Sequence, residues 1–317
     1  MNKFLKKSVI PAIMAAGLGV LTLSPVANAE EGGTGHYVPG GSAALIDVLP
    51  TQPGWIVQPI YLKYEGGFSS TVSVPVGGAI SVGLDAKIDS VTLGGLYTFD
   101  QTVLGAHYSV GAYLPYIWMD VTGTVGGFSR TDRVEGLGDI TLLPAMLAWK
   151  SGQWQFDAML PIYAPTGKYQ VGSLANPGLN YWTIDPTIAA TYSNEKTGFN
   201  FGVHAGVTFN TTNKATDYRS GSVLHAEASV QQLLPVGPGI LGFGLNGFLY
   251  QQISGDSGSG ATSGDFKGRS AGIGPVIDYI IPTETGALVF EAKWLPELDT
   301  KNRLEGDYFW FKVAWQF

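Results

Sequence analysis

The sequence predicts an all-β chain closed into a transmembrane, antiparallel, up-and-down β-barrel of about twelve strands, and three observations carry that prediction. The first is the stretch from Asp307 to Phe317. At period two, Phe309, Phe311, Val313, Trp315 and Phe317 share one wholly apolar face, while Tyr308, Trp310, Lys312, Ala314 and Gln316 share the other. Such a strand suits either the inside of a soluble sandwich or the last strand of a membrane barrel. An open aromatic edge would recruit other chains, whereas closure removes the edge and lipid takes the apolar face. The second observation is composition. Hydrophobic residues make up 45% of the chain, charged residues 14%, and Gly occurs 44 times. Even so, past the first thirty residues no run of about eighteen apolar residues occurs. The third is an alternation of short and long connections between alternating segments, which a sandwich has no reason to produce.

In chain order, Lys3, Lys6 and Lys7 precede an apolar run from Val9 to Leu23, and Ala27-Asn28-Ala29 supplies a small-x-small cleavage pattern. Residues 1–29 therefore read as a secretory signal peptide, too short in its apolar part to span a bilayer. Removing its three lysines takes the net charge from −7 to −10. The chain has no Cys, so its stability has to come from the sheet rather than from disulfides. Net acidity without a basic cluster excludes nucleic acid as a natural partner. Residues 30–53, rich in Gly and Pro, form an irregular N-terminal segment, either a plug in the barrel mouth or a periplasmic tail. Residues 54–317 form the barrel.

Within the barrel, alternation marks Gly54–Tyr64, Ser90–Phe99, Val103–Met119, Asp139–Lys150, Trp154–Tyr163, Trp182–Ser193, Phe199–Asn210, Ser222–Leu233, Ile240–Ile253, Ser270–Ile281, Gly286–Pro296 and Gly306–Phe317. Short links (100–102, 151–153, 194–198, 234–239, 282–285) alternate with long ones (65–89, 120–138, 164–181, 211–221, 254–269, 297–305). That places tight turns and both termini on the periplasmic side and the long loops outside.

The parity of each strand assigns its faces. In the seventh segment Phe199, Phe201, Val203, Ala205, Val207 and Phe209 face lipid, leaving Asn200, His204, Thr208 and Asn210 inside. A Lys or Arg facing lipid at the midplane would cost about 2–4 kcal/mol, so the charged parity is the lumen side. The lumen then collects His107, Asp157, Asp185, His204, His225, Glu227, Asp278, Glu291, Lys293, Trp310 and Lys312, the candidate solute path. Trp149, Trp154, Tyr163, Tyr181, Trp182 and Trp294, near strand ends, fit interfacial girdles. So few strands make a narrow barrel that side chains largely fill, which favours a constricted or gated path over an open pore.

Chemical motifs are sparse. His225 and Glu227 share a face two residues apart, which suits a hydrogen-bonded wall pair better than a metal site; no helical His spacing or Cys ligand exists, and no metal or cofactor is expected. Gly242-Phe243-Gly244-Leu245-Asn246-Gly247 matches G-x-G-x-x-G but lies within a strand with no helix after it, so it cannot cradle a phosphate. No G-x-S-x-G occurs and the histidines fall inside the barrel, so no catalytic residues are assigned and an enzyme is not expected.

Five stretches carry a resemblance. They are Gly35-His36-Tyr37-Val38-Pro39-Gly40, Gly136-Leu137-Gly138-Asp139-Ile140, Leu160 to Tyr169 (LPIYAPTGKY), Asn176 to Trp182 (NPGLNYW) and Asp185-Pro186. In that order and spacing the chain resembles the phenol-degradation "meta" family of porin-like outer-membrane transporters, which includes sphingosine-linked members. The resemblance spans nearly the whole mature chain. It implies a Gram-negative outer-membrane barrel passing hydrophobic or aromatic compounds, with no catalytic residues to carry over.

The expected function is therefore a passive outer-membrane channel for small apolar or aromatic solutes, with His36 and Tyr37 as contacts of a plug. The expected partners are outer-membrane lipid, those solutes, and the barrel-assembly machinery, reached through the strand ending in Phe317. The alternative is a structural or adhesive barrel that binds partners through its outer loops.

Overall fold

A computed structural model describes residues 31–125, 127–261 and 267–317; the predicted signal peptide lies outside them. Twelve antiparallel strands close into a barrel. They are β1 (Gly54–Val76), β2 (Ala79–Val103), β3 (Ala106–Val125), β4 (Phe128–Leu137 and Ile140–Ser151), β5 (Trp154–Met159 and Ile162–Ala164), β6 (Thr183–Ile184 and Thr187–Asn194), β7 (Phe199–Asn210), β8 (Val223–Val236), β9 (Gly239–Gln252), β10 (Arg269–Pro282), β11 (Ala287–Lys301) and β12 (Glu305–Gln316). Closure pairs β1 with β12 from Ile56↔Gln316 to Gly67↔Glu305. At the seam, the Trp55 and Phe317 backbones exchange hydrogen bonds of 2.9 and 3.0 Å. Closure leaves no open edge between the first and last strands, the condition for crossing lipid with strands.

The apolar parity faces outward. Phe309, Phe311 and Trp315 on β12 are exposed, as are Phe199, Val203 and Phe209 on β7 and Leu245 and Leu249 on β9. Water would not tolerate so continuous an apolar belt; lipid does. Above it, register lines up Glu65, Lys87, Asp120 and Arg133 across β1 to β4, and Arg133 reaches Asp120 at 2.7 Å. This alternating row of charge marks where the wall leaves the lipid.

Two sequence expectations need correcting here. Connections 65–89 and 120–138 are mostly strand, not loop, because β1 to β4 continue as hairpins past the charged row. Above the lipid the outer face is solvated and needs no apolar alternation, so the periodic signal stops while the ladder goes on. The turn expected at 100–102 instead lies at Leu104-Gly105, whose φ angles of 52° and 76° suit a two-residue hairpin.

β4, β5 and β6 are each broken once, the breaks in β5 and β6 lying opposite each other. The breaks fall at Gly138-Asp139, Leu160-Pro161 and Asp185-Pro186; both halves of β5 and of β6 pair with the same neighbours, while both halves of β4 pair with β3 and only Ile140–Ser151 pairs with β5. Pro161 and Pro186 have no N–H to give to a ladder, which ends the regular pairing there. The inside is layered. Tyr64, Leu84, Val121, Leu295 and Tyr308 pack beneath the long connections, and Leu49, Leu96, Leu143 and Met146 pack near the short turns. A charged layer lies between them. The G-x-G-x-x-G stretch lies within β9.

Candidate functional site in the barrel lumen

Residues 31–53 thread the lumen from the end with long connections to the end with short turns. At the outer end Glu31 accepts hydrogen bonds from Asn213 (2.8 Å) and Thr216 (3.3 Å), side chains of the 211–222 connection, and from the Tyr169 hydroxyl (3.3 Å). At the inner end Leu49 packs on Leu96 and Met146, and its carbonyl accepts from Gln155 at 2.9 Å. Between these anchors the segment meets inward side chains from both sides of the barrel.

Glu227 on β8 holds one side. Its carboxylate accepts from the Tyr37 hydroxyl (2.8 Å), Gly40 N–H (3.0 Å) and Ser42 N–H (3.2 Å). The Tyr37 ring stacks on His225 at 3.9 Å, and His225 Nε2 lies 2.8 Å from Asp185. Burial, reinforced by the nearby Glu227 charge, pushes the Tyr37 hydroxyl well above its ordinary range, so it stays a donor. Gly40 sits at φ +87°, and a Cβ there would come within 2.5 Å of Leu295 and Trp310. Only Gly lets the segment pass that close to the wall.

The nearby wall on β11 and β12 is charged too. Lys312 Nζ lies 2.6 Å from Asp47, 3.4 Å from Glu291 and 3.0 Å from the Gly41 carbonyl. Lys293 lies 3.0 Å from Glu291 and 3.7 Å from Asp47. Asp278 accepts from Gln231 in the same layer. Trp310 donates from Nε1 to the Pro39 carbonyl at 3.0 Å. The structure thus gathers Glu227, Glu291, Lys293, Trp310, Lys312, His225 and Asp185 around the segment. Asp157 is buried lower on β5 beside Gln155, and His204 lines the cavity with its Nδ1 unpartnered. His107 is half-buried on the inward parity of β3 near its start, away from this group.

A third junction involves Asp139, at the break in β4. One carboxylate oxygen accepts from Gly167 N–H (2.8 Å); the other accepts from Leu179 N–H (2.7 Å) and lies 2.9 Å from His36 Nε2. The other His36 nitrogen is 2.7 Å from Thr183 Oγ1, and its ring stacks on Tyr163 at 4.8 Å. A Cβ on Gly178 would stand 2.7 Å from the Gly167 backbone, so these two glycines let two turns of the 165–182 connection touch. Sequence reasoning overlooked Asp139, Asp47 and Glu31 as anchors. The Asp139 signal was present, since it sits inside a quoted motif.

The five stretches singled out in the sequence therefore meet at one place. His36 and Tyr37, Asp139, Gly167, Leu179 and Asp185 join the segment, the broken strands and the long connection. The family model described as "Putative MetA-pathway of phenol degradation" matches residues 70–313. The chain belongs to this family. Its fold matches the COG4313 outer membrane channel from Pseudomonas putida F1 with a TM-score of 0.63 at 15% identity, covering 89% of this chain and 100% of that one. The beta domain of the Bordetella autotransporter BrkA matches with a TM-score of 0.50 at 13% identity, covering 83% of this chain and 100% of that one. No curated protein is similar enough in sequence to add a relative. The chain of this family is thus an outer-membrane β-barrel with a channel-type fold, and lipid is the environment of its apolar belt.

Between the segment and the wall lies a cavity of about 420 Å³, bordered by β1 to β8 and β12 and lined largely by apolar side chains such as Leu62, Ile88, Ile117, Met119 and Leu179. Among the described residues no group of three or more His, Cys, Asp or Glu is arranged to hold a metal ion.

The outer anchor carries a pH dependence. Burial pushes the Glu31 carboxyl above its ordinary range, only partly offset by the hydrogen bonds from Asn213 and Thr216. A raised value in the docked state means its contribution is complete below the ordinary carboxylate range and is lost as pH rises through the raised value. Tyr169 beside it, pushed up to about 12 by burial and the Glu31 charge, does not titrate there. Protease cleavage within residues 31–36 is expected to quicken from acid to neutral pH, and Glu31→Gln to flatten that profile. A wild-type rate independent of pH would remove Glu31 from the anchor.

Proposed function

We propose that this barrel is a passive channel for small apolar or aromatic solutes, with residues 31–53 acting as a plug inside it. The observation that carries the reading is the apolar-walled cavity between the segment and the wall, a space suited to a solute with an apolar body. Candidate path residues are Glu227, Glu291, Lys293, Trp310 and Lys312, with His36 and Tyr37 holding the plug. The family's printed description, a phenol-degradation pathway, fits solutes of this kind. The strand ending in Phe317, alternating and aromatic, is the part offered to the barrel-assembly machinery.

The test is solute flux. Liposome swelling and planar-bilayer conductance are compared for the mature chain with and without residues 30–53. Removing the plug is expected to raise conductance severalfold and to admit solutes that the full chain excludes. A barrel that inserts normally yet stays sealed in both forms would overturn the channel reading in favour of a structural or adhesive barrel.

A further inference from the structure

The cavity is not uniformly apolar, and the arrangement of its polar groups is specific. Its wall rises in rows set by strand register. Lowest are Ile56, Leu96, Leu143 and Met146, all apolar. The next row up holds Gln58, Tyr113, Thr141 and Tyr163, on β1, β3, β4 and β5. Above it the wall is mainly Ile60, Leu62, Ile88, Ile117 and Met119, with only the small hydroxyls of Thr92 and Ser90, 3.5 Å from each other, among them. The band of larger polar side chains therefore lies within a mainly apolar shaft.

Within that band the hydrogen-bonding groups are oriented. Gln58 is only 5% exposed, and its amide oxygen accepts from the Tyr113 hydroxyl at 2.7 Å. With the oxygen engaged, the amide nitrogen is left over, and among the described residues it meets no acceptor. Tyr163 is fixed by stacking on His36, yet its hydroxyl makes no hydrogen bond to the described residues. Both groups line the cavity, and donors that face a cavity without a protein partner mark a place for a ligand or water. The cations around the cavity are already engaged: Lys312 with Asp47 and Glu291, Lys293 with Glu291, and Arg303, in the β11–β12 turn, over the Tyr250 ring. An ionised head would have to be desolvated with no opposing charge left to receive it.

We propose that this band is a head-group station: it binds neutral, oxygenated apolar molecules, whose hydroxyl or carbonyl oxygen accepts from Gln58 while the body lies against Leu62, Ile88 and Met119. This deepens the channel reading and rests on it for the physiological role, but binding at the station is separate from flux. The station selects on the head, since the apolar rows accept any body of suitable size.

The test uses three bicyclic probes of matched size, 1-naphthol, naphthalene and 1-naphthoate, titrated into the full mature chain refolded in detergent, with probe fluorescence as the readout. 1-Naphthol is expected to bind about tenfold more tightly than either of the others, the effect of about one good buried hydrogen bond. Gln58→Leu keeps the volume and should erase the naphthol advantage while leaving naphthalene affinity unchanged. Tyr163→Phe should reduce the advantage partly. Folding of each variant is checked by heat-modifiable gel mobility. Equal affinities for naphthol and naphthalene, tightest binding of naphthoate, or a Gln58→Leu loss that is the same for all probes would each overturn the station. Flux through the truncated barrel alongside absent naphthol binding would sink the station and leave the channel standing. Selective naphthol binding in a barrel sealed in every form would do the reverse.

Discussion

Replacing Asp139 with Ala is expected to unfasten the 165–182 connection from the wall without opening the barrel seam. Asp139 is buried, and its two oxygens serve three donors: Gly167 and Leu179 of the connection and His36 of the N-terminal segment. Each buried donor left unmet costs about 1–3 kcal/mol. No strand pairing depends on Asp139, because β4 is already broken there and resumes at Ile140. The cost therefore falls on the connection and on His36. Hydrogen exchange at the Gly167 and Leu179 amides should speed up strongly, while amides of β8 to β12 keep their protection. Asp139→Asn retains one acceptor oxygen and should fall between. Unchanged exchange at both amides would mean that the touching glycines, not the carboxylate, hold the connection in place.

Much of the barrel was legible because lipid imposes a strict rule on each strand. Residues facing it must be apolar, and their neighbours need not be, so parity in β7, β8 and β12 read directly as outside and inside. Where lipid ends, the rule ends. The outer halves of β1 and β2 carry Lys63, Glu65, Lys87 and Asp89 on the outward face, a pattern that looks like loop to any argument from periodicity. The interior was legible in a narrower sense. Parity can place Glu227 and Lys312 on the lumen side, but it cannot pair them with Tyr37 or Asp47, which lie 190 and 265 residues away along the chain. Residues 31–53 have no period because they belong to no sheet, and their path is set by side-chain contacts alone. Asp139 illustrates the same limit: its motif stood out, yet the partners that give it a role come from two distant stretches.

The cation that joins segment to wall should be the most consequential single side chain in the lumen. Lys312 is 1% exposed and bonds three groups, two of which, Asp47 and the Gly41 carbonyl, belong to the segment. Lys312→Met keeps most of the volume but leaves the largely buried Asp47 with no cation nearer than Lys293, 3.7 Å away, and only the Ala44 N–H beside it. Breaking a buried pair from one side costs about 3–5 kcal/mol. The wall can avoid that cost. Glu291 keeps Lys293 at 3.0 Å, and the β11–β12 and β12–β1 ladders do not pass through the Lys312 side chain. The segment escapes it by leaving, which returns Asp47 to water. Conductance of Lys312→Met in planar bilayers should therefore approach that of the barrel lacking residues 30–53, with the melting temperature of the wall little changed. Adding Asp47→Leu removes the stranded carboxylate and should restore part of the closure, because an apolar pair of similar volume packs where an unpaired charge could not. A melting temperature that falls while conductance stays at the wild-type level would place the cost in the wall, and Lys312 would then be a strut of the barrel, not the fastening of the segment.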